Sequence, residues 1–224
     1  MRTFAIIAAC LILATGLAHG QSTDPIEVGN DAGAAEVTES ADETDGWSFS
    51  ATANAYFVPD DDDYVQPTIT ADRDWLHLEA RYNYEEIDAA SAWVGYSFSF
   101  GSDELTFDLT PMVGGVFGDL HGVAPGYELT LGYKRFELYS EGEYVIDLDD
   151  SSDSFFYTWS ELTYAPLDWL RFGVVIQRTK AYDTDFDIQR GLLLGVSYKQ
   201  LDFATYVLNP DDDPVFVFSI GASF

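Results

Sequence analysis

Pro214-Val-Phe-Val-Phe-Ser-Ile-Gly-Ala-Ser-Phe224 is the stretch whose reading decides the fold. In an extended strand, successive side chains point to opposite faces. Phe216, Phe218, Ile220, Ala222 and Phe224 therefore share one face, with Val215, Val217, Ser219, Gly221 and Ser223 on the other. The first face is apolar and aromatic; the second is small and mostly polar. Such a strand needs an apolar medium on one side only.

The preceding chain repeats the pattern. Twelve strands are predicted, over 47–58, 64–72, 75–84, 90–100, 103–115, 124–134, 135–146, 154–165, 168–179, 187–199, 200–209 and 214–224. Each is near the ~9–11 residues that cross a bilayer when tilted. In the third, Leu76, Leu78, Ala80, Tyr82 and Tyr84 oppose His77, Glu79, Arg81 and Asn83. In the sixth, Tyr127, Leu129, Leu131 and Tyr133 oppose Glu128, Thr130, Gly132 and Lys134. No stretch after residue 46 has a helical period.

The connections alternate between tight and long. Tight ones fall at Arg73-Asp74, Gly101-Ser102, Lys134-Arg135, Pro166-Leu167 and Lys199-Gln200. Longer ones span 59–63, 85–89, 116–123, 147–153, 180–186 and 210–213. With its C-terminal Phe and alternate apolar residues, the last strand resembles the closing strand of Gram-negative outer-membrane β-barrels of the porin-like kind. That resemblance implies an all-β fold, a closed antiparallel transmembrane β-barrel of about twelve strands with short periplasmic turns and longer extracellular loops. It also implies the cell outer membrane as location, and capture of the last strand by the barrel-assembly machinery. An even strand number lets the last strand pair with the first and removes the sheet edge.

A soluble barrel with the apolar face inward is the competing arrangement, and three features oppose it. Aromatics on the apolar face gather at strand ends: Trp47, Phe100, Tyr133, Phe136, Tyr164, Tyr198 and Phe224 at the periplasmic rim, Phe57, Tyr84, Tyr144 and Phe156 at the outer rim. Those positions suit two interfacial girdles. Arg73, Lys134, Arg135 and Lys199 sit in the periplasmic turns, against anionic headgroups. The polar face mixes opposite charges on neighbouring strands, which suits an enclosed network.

Residues 1–20 read as a signal peptide, with Arg2, an apolar run and a small-residue cleavage site. Cys10, the single cysteine, falls within it, so no disulfide is expected in the processed chain. Residues 21–45 are small, acidic and free of aromatics, a disordered periplasmic extension by composition. The barrel is assigned to 46–224. With 39 acidic against 10 basic residues, the chain is a poor partner for nucleic acid. Outer-membrane lipids and lipopolysaccharide are the expected surroundings, and a monomer the expected state.

Parity turns His77, Glu79, Arg81, Glu104, Asp108, Glu128, Glu137, Glu141, Glu143, Glu161, Arg171 and Gln189 inward, with Tyr139, Trp159 and Trp169. Eight strands leave a lumen filled by side chains and sixteen leave open water; twelve lies between. The expectation is a narrow, mainly anionic pore for passive diffusion of cations or neutral solutes. Its alternative is a non-conducting structural or surface-interaction barrel with acidic loops. Asp183-x-Asp185-x-Asp187 lacks the glycine and distal glutamate of a calcium loop, so no metal site is expected. After processing only His77 and His121 remain as bases, and no His lies two residues before a Ser-Asn-Gly. No catalytic residue and no cofactor are assigned.

Overall fold

The computed structural model describes residues 46–59, 62–102, 104–181, 187–211 and 213–224, with only the backbone of 180, 181 and 187. The signal peptide, the acidic extension and the loop acids Asp60, Asp61, Asp183, Asp185 and Asp212 lie outside the described residues. Thirteen strands follow one another: β1 (Ser48–Phe57), β2 (Tyr64–Arg73), β3 (Leu76–Tyr82), β4 (Ala89–Tyr96), β5 (Phe98–Gly101), β6 (Leu105–Gly118), β7 (Gly122–Tyr133), β8 (Phe136–Asp147), β9 (Phe155–Leu167), β10 (Leu170–Ala181), β11 (Asp187–Tyr198), β12 (Leu201–Leu208) and β13 (Val215–Ser223). Apart from β4 and β5, neighbours in sequence are neighbours in the sheet, all antiparallel. β1 pairs with β13 from Ser50↔Ser223 to Phe57↔Phe216, and β4 with β6 from Ala89↔Gly118 to Gly95↔Met112. These two pairings close the sheet on itself, the requirement of backbone in hydrocarbon.

β4 and β5 are two parts of one stave, since both pair with β6. The barrel is thus twelve-staved, and the fourth stave, expected as continuous, breaks at Ser97. There Ser97 N–H donates to the Trp75 carbonyl at 2.8 Å, and its hydroxyl bonds Thr110 Oγ1 at 3.0 Å. Pro67 is accommodated one residue past the last β2–β3 pair, Thr68↔Arg81, where β2 is paired on one side only. Asp74, Lys134 and Lys199 hold positive φ at 53°, 58° and 57°, the twist that two-residue turns impose. The β9–β10 turn falls at Asp168-Trp169, two residues later than expected, so Trp169 is half exposed on the turn and not in the lumen.

Outward positions are apolar and uncovered: Ile69, Val113, Leu192, Leu194, Phe218 and Ile220 are each about half exposed. A continuous belt of this kind is stable only against lipid tails. Three of its hydroxyls pair with one another, Tyr127 with Ser140 at 3.2 Å and Ser140 with Ser160 at 2.9 Å. Trp47, Phe57, Phe100, Tyr133, Phe136, Tyr144, Tyr198 and Phe224 are exposed, while Phe156 and Tyr164 are half-buried, Tyr164 packed on Phe136 and Phe172.

Tyr84 requires a correction. Expected on the outer girdle, it turns into the lumen. β3 ends at Tyr82, and Asn83 takes a positive φ of 55°, so strand parity stops before Tyr84.

Inward positions divide by height. Towards the long loops many are apolar and form two packed clusters, one with Val175, Leu193, Leu208, Val215 and Val217, the other with Trp93, Met112, Val116, Ala124 and Val145. Trp93 lies against bare backbone: a Cβ on Gly114 would fall 2.7 Å from its Cε3, and one on Gly126 3.0 Å from Cζ3. Gly114→Ala is expected to destabilise the barrel by about 1–3 kcal/mol through overpacking. Urea unfolding in vesicles, followed by tryptophan emission, measures this.

Candidate functional site

Below those clusters the lumen is polar, and its chemistry follows from four staves. Alternation along β8 aims Glu137, Tyr139, Glu141 and Glu143 inward, β3 adds His77, Glu79 and Arg81, and β7 and β9 add Glu128 and Glu161. Arg81 is buried at the centre of the first group. Its Nε donates to Glu79 at 2.5 Å and its Nη1 to Glu143 at 3.1 Å. Its guanidinium carbon stands 4.2 Å from the Tyr84 ring centre and 4.7 Å from that of Trp93. Such ring-and-carboxylate packing holds a planar cation without water.

His77 lies between two carboxylates, Nδ1 at 2.7 Å from Asp72 and Nε2 at 3.2 Å from Glu79. Glu141 accepts from Tyr139 at 2.7 Å and from the Tyr84 hydroxyl. Trp159 Nε1 donates to Glu161 at 2.7 Å. Glu128 stands directly opposite Glu141 in the β7–β8 ladder. Among the described residues, no ion pair involves Glu128, Glu141 or Glu161. Arg171 is taken by Asp202 through two nitrogens, one of them at 2.6 Å, and Ser197 donates to the same carboxylate at 2.7 Å.

These groups enclose a central cavity of about 420 Å³, walled by Glu128, Glu141, Glu161, Tyr84, Tyr139, Tyr157, Trp159 and Tyr206 among others. A second space of about 460 Å³ opens at the tight-turn end, beside Glu104, Lys134, Glu137 and Arg171. Tyr139 and Glu161 line both and stand between them. At the long-loop end a bowl of about 630 Å³ lies beside Glu85, Asp119, Asp147 and Phe155, and shares no wall residue with the central cavity.

The positions expected to face the lumen are therefore distributed. His77, Glu79, Glu128, Glu141 and Glu161 line the central cavity. Glu104, Glu137 and Arg171 line the lower space, and Arg81 and Glu143 are buried in the wall. Asp108 is exposed and shares the register parity of Thr106 and Thr110; Gln189 is half-buried opposite Gln177. Tyr84, Tyr157, Tyr206, Asp72 and the apolar clusters were not foreseen. Inward parity alone could have found Tyr206 and Val217.

One group of metal-ligand type was also unforeseen: ligand atoms of His77, Glu79 and Glu128 lie within 4.8 Å of one another. His121 is exposed on a loop, its Nδ1 3.1 Å from Asp149.

At the long-loop end Glu85 accepts from the Ser91 hydroxyl at 2.5 Å, and its other oxygen is buried without a partner. Burial holds its carboxyl above the ordinary range, against the opposing pull of Ser91 and Arg81. The folded state thus retains a proton that the unfolded chain releases, and stability falls as pH rises through that window. Glu85→Gln is expected to remove this fall. Unfolding midpoints at about pH 4 and about pH 8 should converge in the variant, and an unchanged slope would refute it.

A closed sheet, a lipid-facing apolar belt and a charged lumen define the class: this is a transmembrane β-barrel. Solved porins share its architecture. KdgM porin aligns with a TM-score of 0.55 at 11% identity, over 78% of this chain and 99% of its own. KdgM porin in complex with disordered oligogalacturonate aligns at 0.55 and 10%, over 79% and 99%. NanC porin aligns at 0.51 and 14%, over 79% and 98%. At these identities the likeness is one of fold. No protein-family model matches the chain, and no curated protein matches it.

Proposed function

We propose that this protein is a porin-like channel for passive diffusion of small solutes, preferring cations or neutral molecules. One observation carries the reading. Three staves present Glu128, Glu141 and Glu161 to the central cavity, and among the described residues no cationic side chain forms an ion pair with any of them. In a low-dielectric enclosure that field attracts cations and repels anions. Oligogalacturonate, the ligand of one fold neighbour, is a polyanion, and this lumen is of the wrong sign for it. We further propose that the barrel works as a monomer among outer-membrane lipids and lipopolysaccharide, with β13 presented to the assembly machinery.

Incorporation into planar bilayers tests the channel. Discrete conductance steps are expected, and Glu141→Lys should move the reversal potential towards anions. An unmoved potential would remove Glu141 from ion selection. The second reading, a non-conducting barrel, draws on the apolar clusters that fill the long-loop half of the lumen. Removing two rings that wall the cavity, in Tyr157→Ala with Trp159→Ala, should raise conductance several-fold if those rings form the constriction. No steps in either protein would leave the non-conducting reading.

A further inference from the structure

We infer that the central cavity is a binding site for a small organic cation bearing guanidinium or ammonium groups. The assignment deepens the channel reading, on which it rests, by naming the solute class. Three observations lead to it.

The first is charge. Glu128 and Glu141 face each other across the β7–β8 ladder, an arrangement of like charges that destabilises a sheet. Glu161 lies one stave further on, opposite Tyr139 and diagonal to Glu141. The hydrogen bonds that Glu141 and Glu161 accept come from neutral donors, Tyr84, Tyr139 and Trp159. These donors orient the carboxylates without carrying charge themselves, while Arg81 and Arg171 are bound to Glu79, Glu143 and Asp202. A cation from solution is the partner whose charge matches them.

The second is the wall. A metal ion asks for oxygen or nitrogen ligands at short range. His77, Glu79 and Glu128 bring such atoms together at one edge of this cavity, but beyond them its wall adds the rings of Tyr84, Tyr139, Tyr157, Trp159 and Tyr206. Ring faces attract organic cations. Its size, about 420 Å³, falls within the roughly 300–1,000 Å³ of small-molecule sites and far exceeds what a bare ion needs.

The third is a template inside the protein. Arg81 is a guanidinium already held in this way, by Glu79 and Glu143 at its nitrogens and by Tyr84 and Trp93 at its faces. Beyond Tyr84 the same components recur around the cavity, as Glu141 with Tyr139 and Glu161 with Trp159, without a side chain to fill them. The lower space meets this cavity at Tyr139 and Glu161.

Calorimetric titration of the detergent-folded protein with agmatine and putrescine tests the site. Both should bind, and 1,4-butanediol, the uncharged counterpart of putrescine, should not. Glu141→Gln and Glu128→Gln should each weaken agmatine binding about tenfold or more, the loss of one buried charge-assisted contact. Equal binding of the diol, or agmatine affinity unchanged in both variants, overturns the site. So does calcium binding that agmatine cannot displace. The diol comparison needs no variant, so a misfolded mutant leaves the test intact. Conductance without agmatine binding would refute this site and leave the channel standing. Agmatine binding with no conductance in the native or widened protein would keep the site and refute the channel.

Discussion

Replacing Arg81 with methionine is expected to destabilise the barrel by about 3–5 kcal/mol, the loss typical when one partner of a buried ion pair is removed. Arg81, Glu79 and Glu143 are each at least nine-tenths buried. Arg81 donates to both carboxylates, and it packs on two rings. Without the guanidinium, Glu79 and Glu143 would face each other in a region that also holds Glu128 and Glu141. One oxygen of Glu143 is already buried without a hydrogen-bond partner, so little local capacity remains to absorb a second loss. The triple variant Arg81→Met, Glu79→Gln, Glu143→Gln should recover part of the stability, because neutral amides do not repel. Urea unfolding in lipid vesicles gives the comparison. A loss below about 1 kcal/mol in the single variant would mean that Arg81 behaves as a solvated surface charge.

The second large effect contrasts two adjacent residues of β13. Ile220 points outward beside Ala53 and Phe203, and Ser219 points into the cavity beside Asn54 and Ala204. Ile220→Arg should cost about 2–4 kcal/mol, the penalty for arginine on the lipid face near the bilayer midplane. Ser219→Arg places the same charge one residue away, in a lumen rich in unpaired carboxylates. It should cost far less and should reduce cation conductance. Equal penalties at the two positions would contradict the assignment of inner and outer faces.

Much of this barrel was legible because a strand's side-chain period is two, and every stave must be apolar towards lipid. A single rule therefore carried from Phe216, Phe218 and Ile220 back to Phe49. It put His77, Glu79, Glu128, Glu141 and Glu161 on the cavity side. Where the backbone leaves the strand conformation, the rule ends. Asn83 with positive φ sends Tyr84 into the lumen, and the break at Ser97 divides a stave. The later turn at Asp168-Trp169 moves a tryptophan to the rim. None of these is written in hydrophobic alternation, because the period of two describes residues inside a strand and not where the strand bends or ends.

The sequence by itself determined the class, the closure, the strand number and which side of each strand meets lipid, since these follow from local periodicity and from the demand that no backbone group be unpaired in hydrocarbon. Only the tertiary structure decided which charges meet. Arg81 reaches Glu143, 62 residues away, while Arg171 is held by Asp202, Glu141 takes the hydroxyls of Tyr84 and Tyr139, and Glu128 stands beside His77 and Glu79. It also decided that valines and aromatics on the inner face pack into clusters towards the long loops and leave a cavity beneath. Partner choice across a lumen depends on stave order, register and curvature together, and no short stretch of chain encodes those.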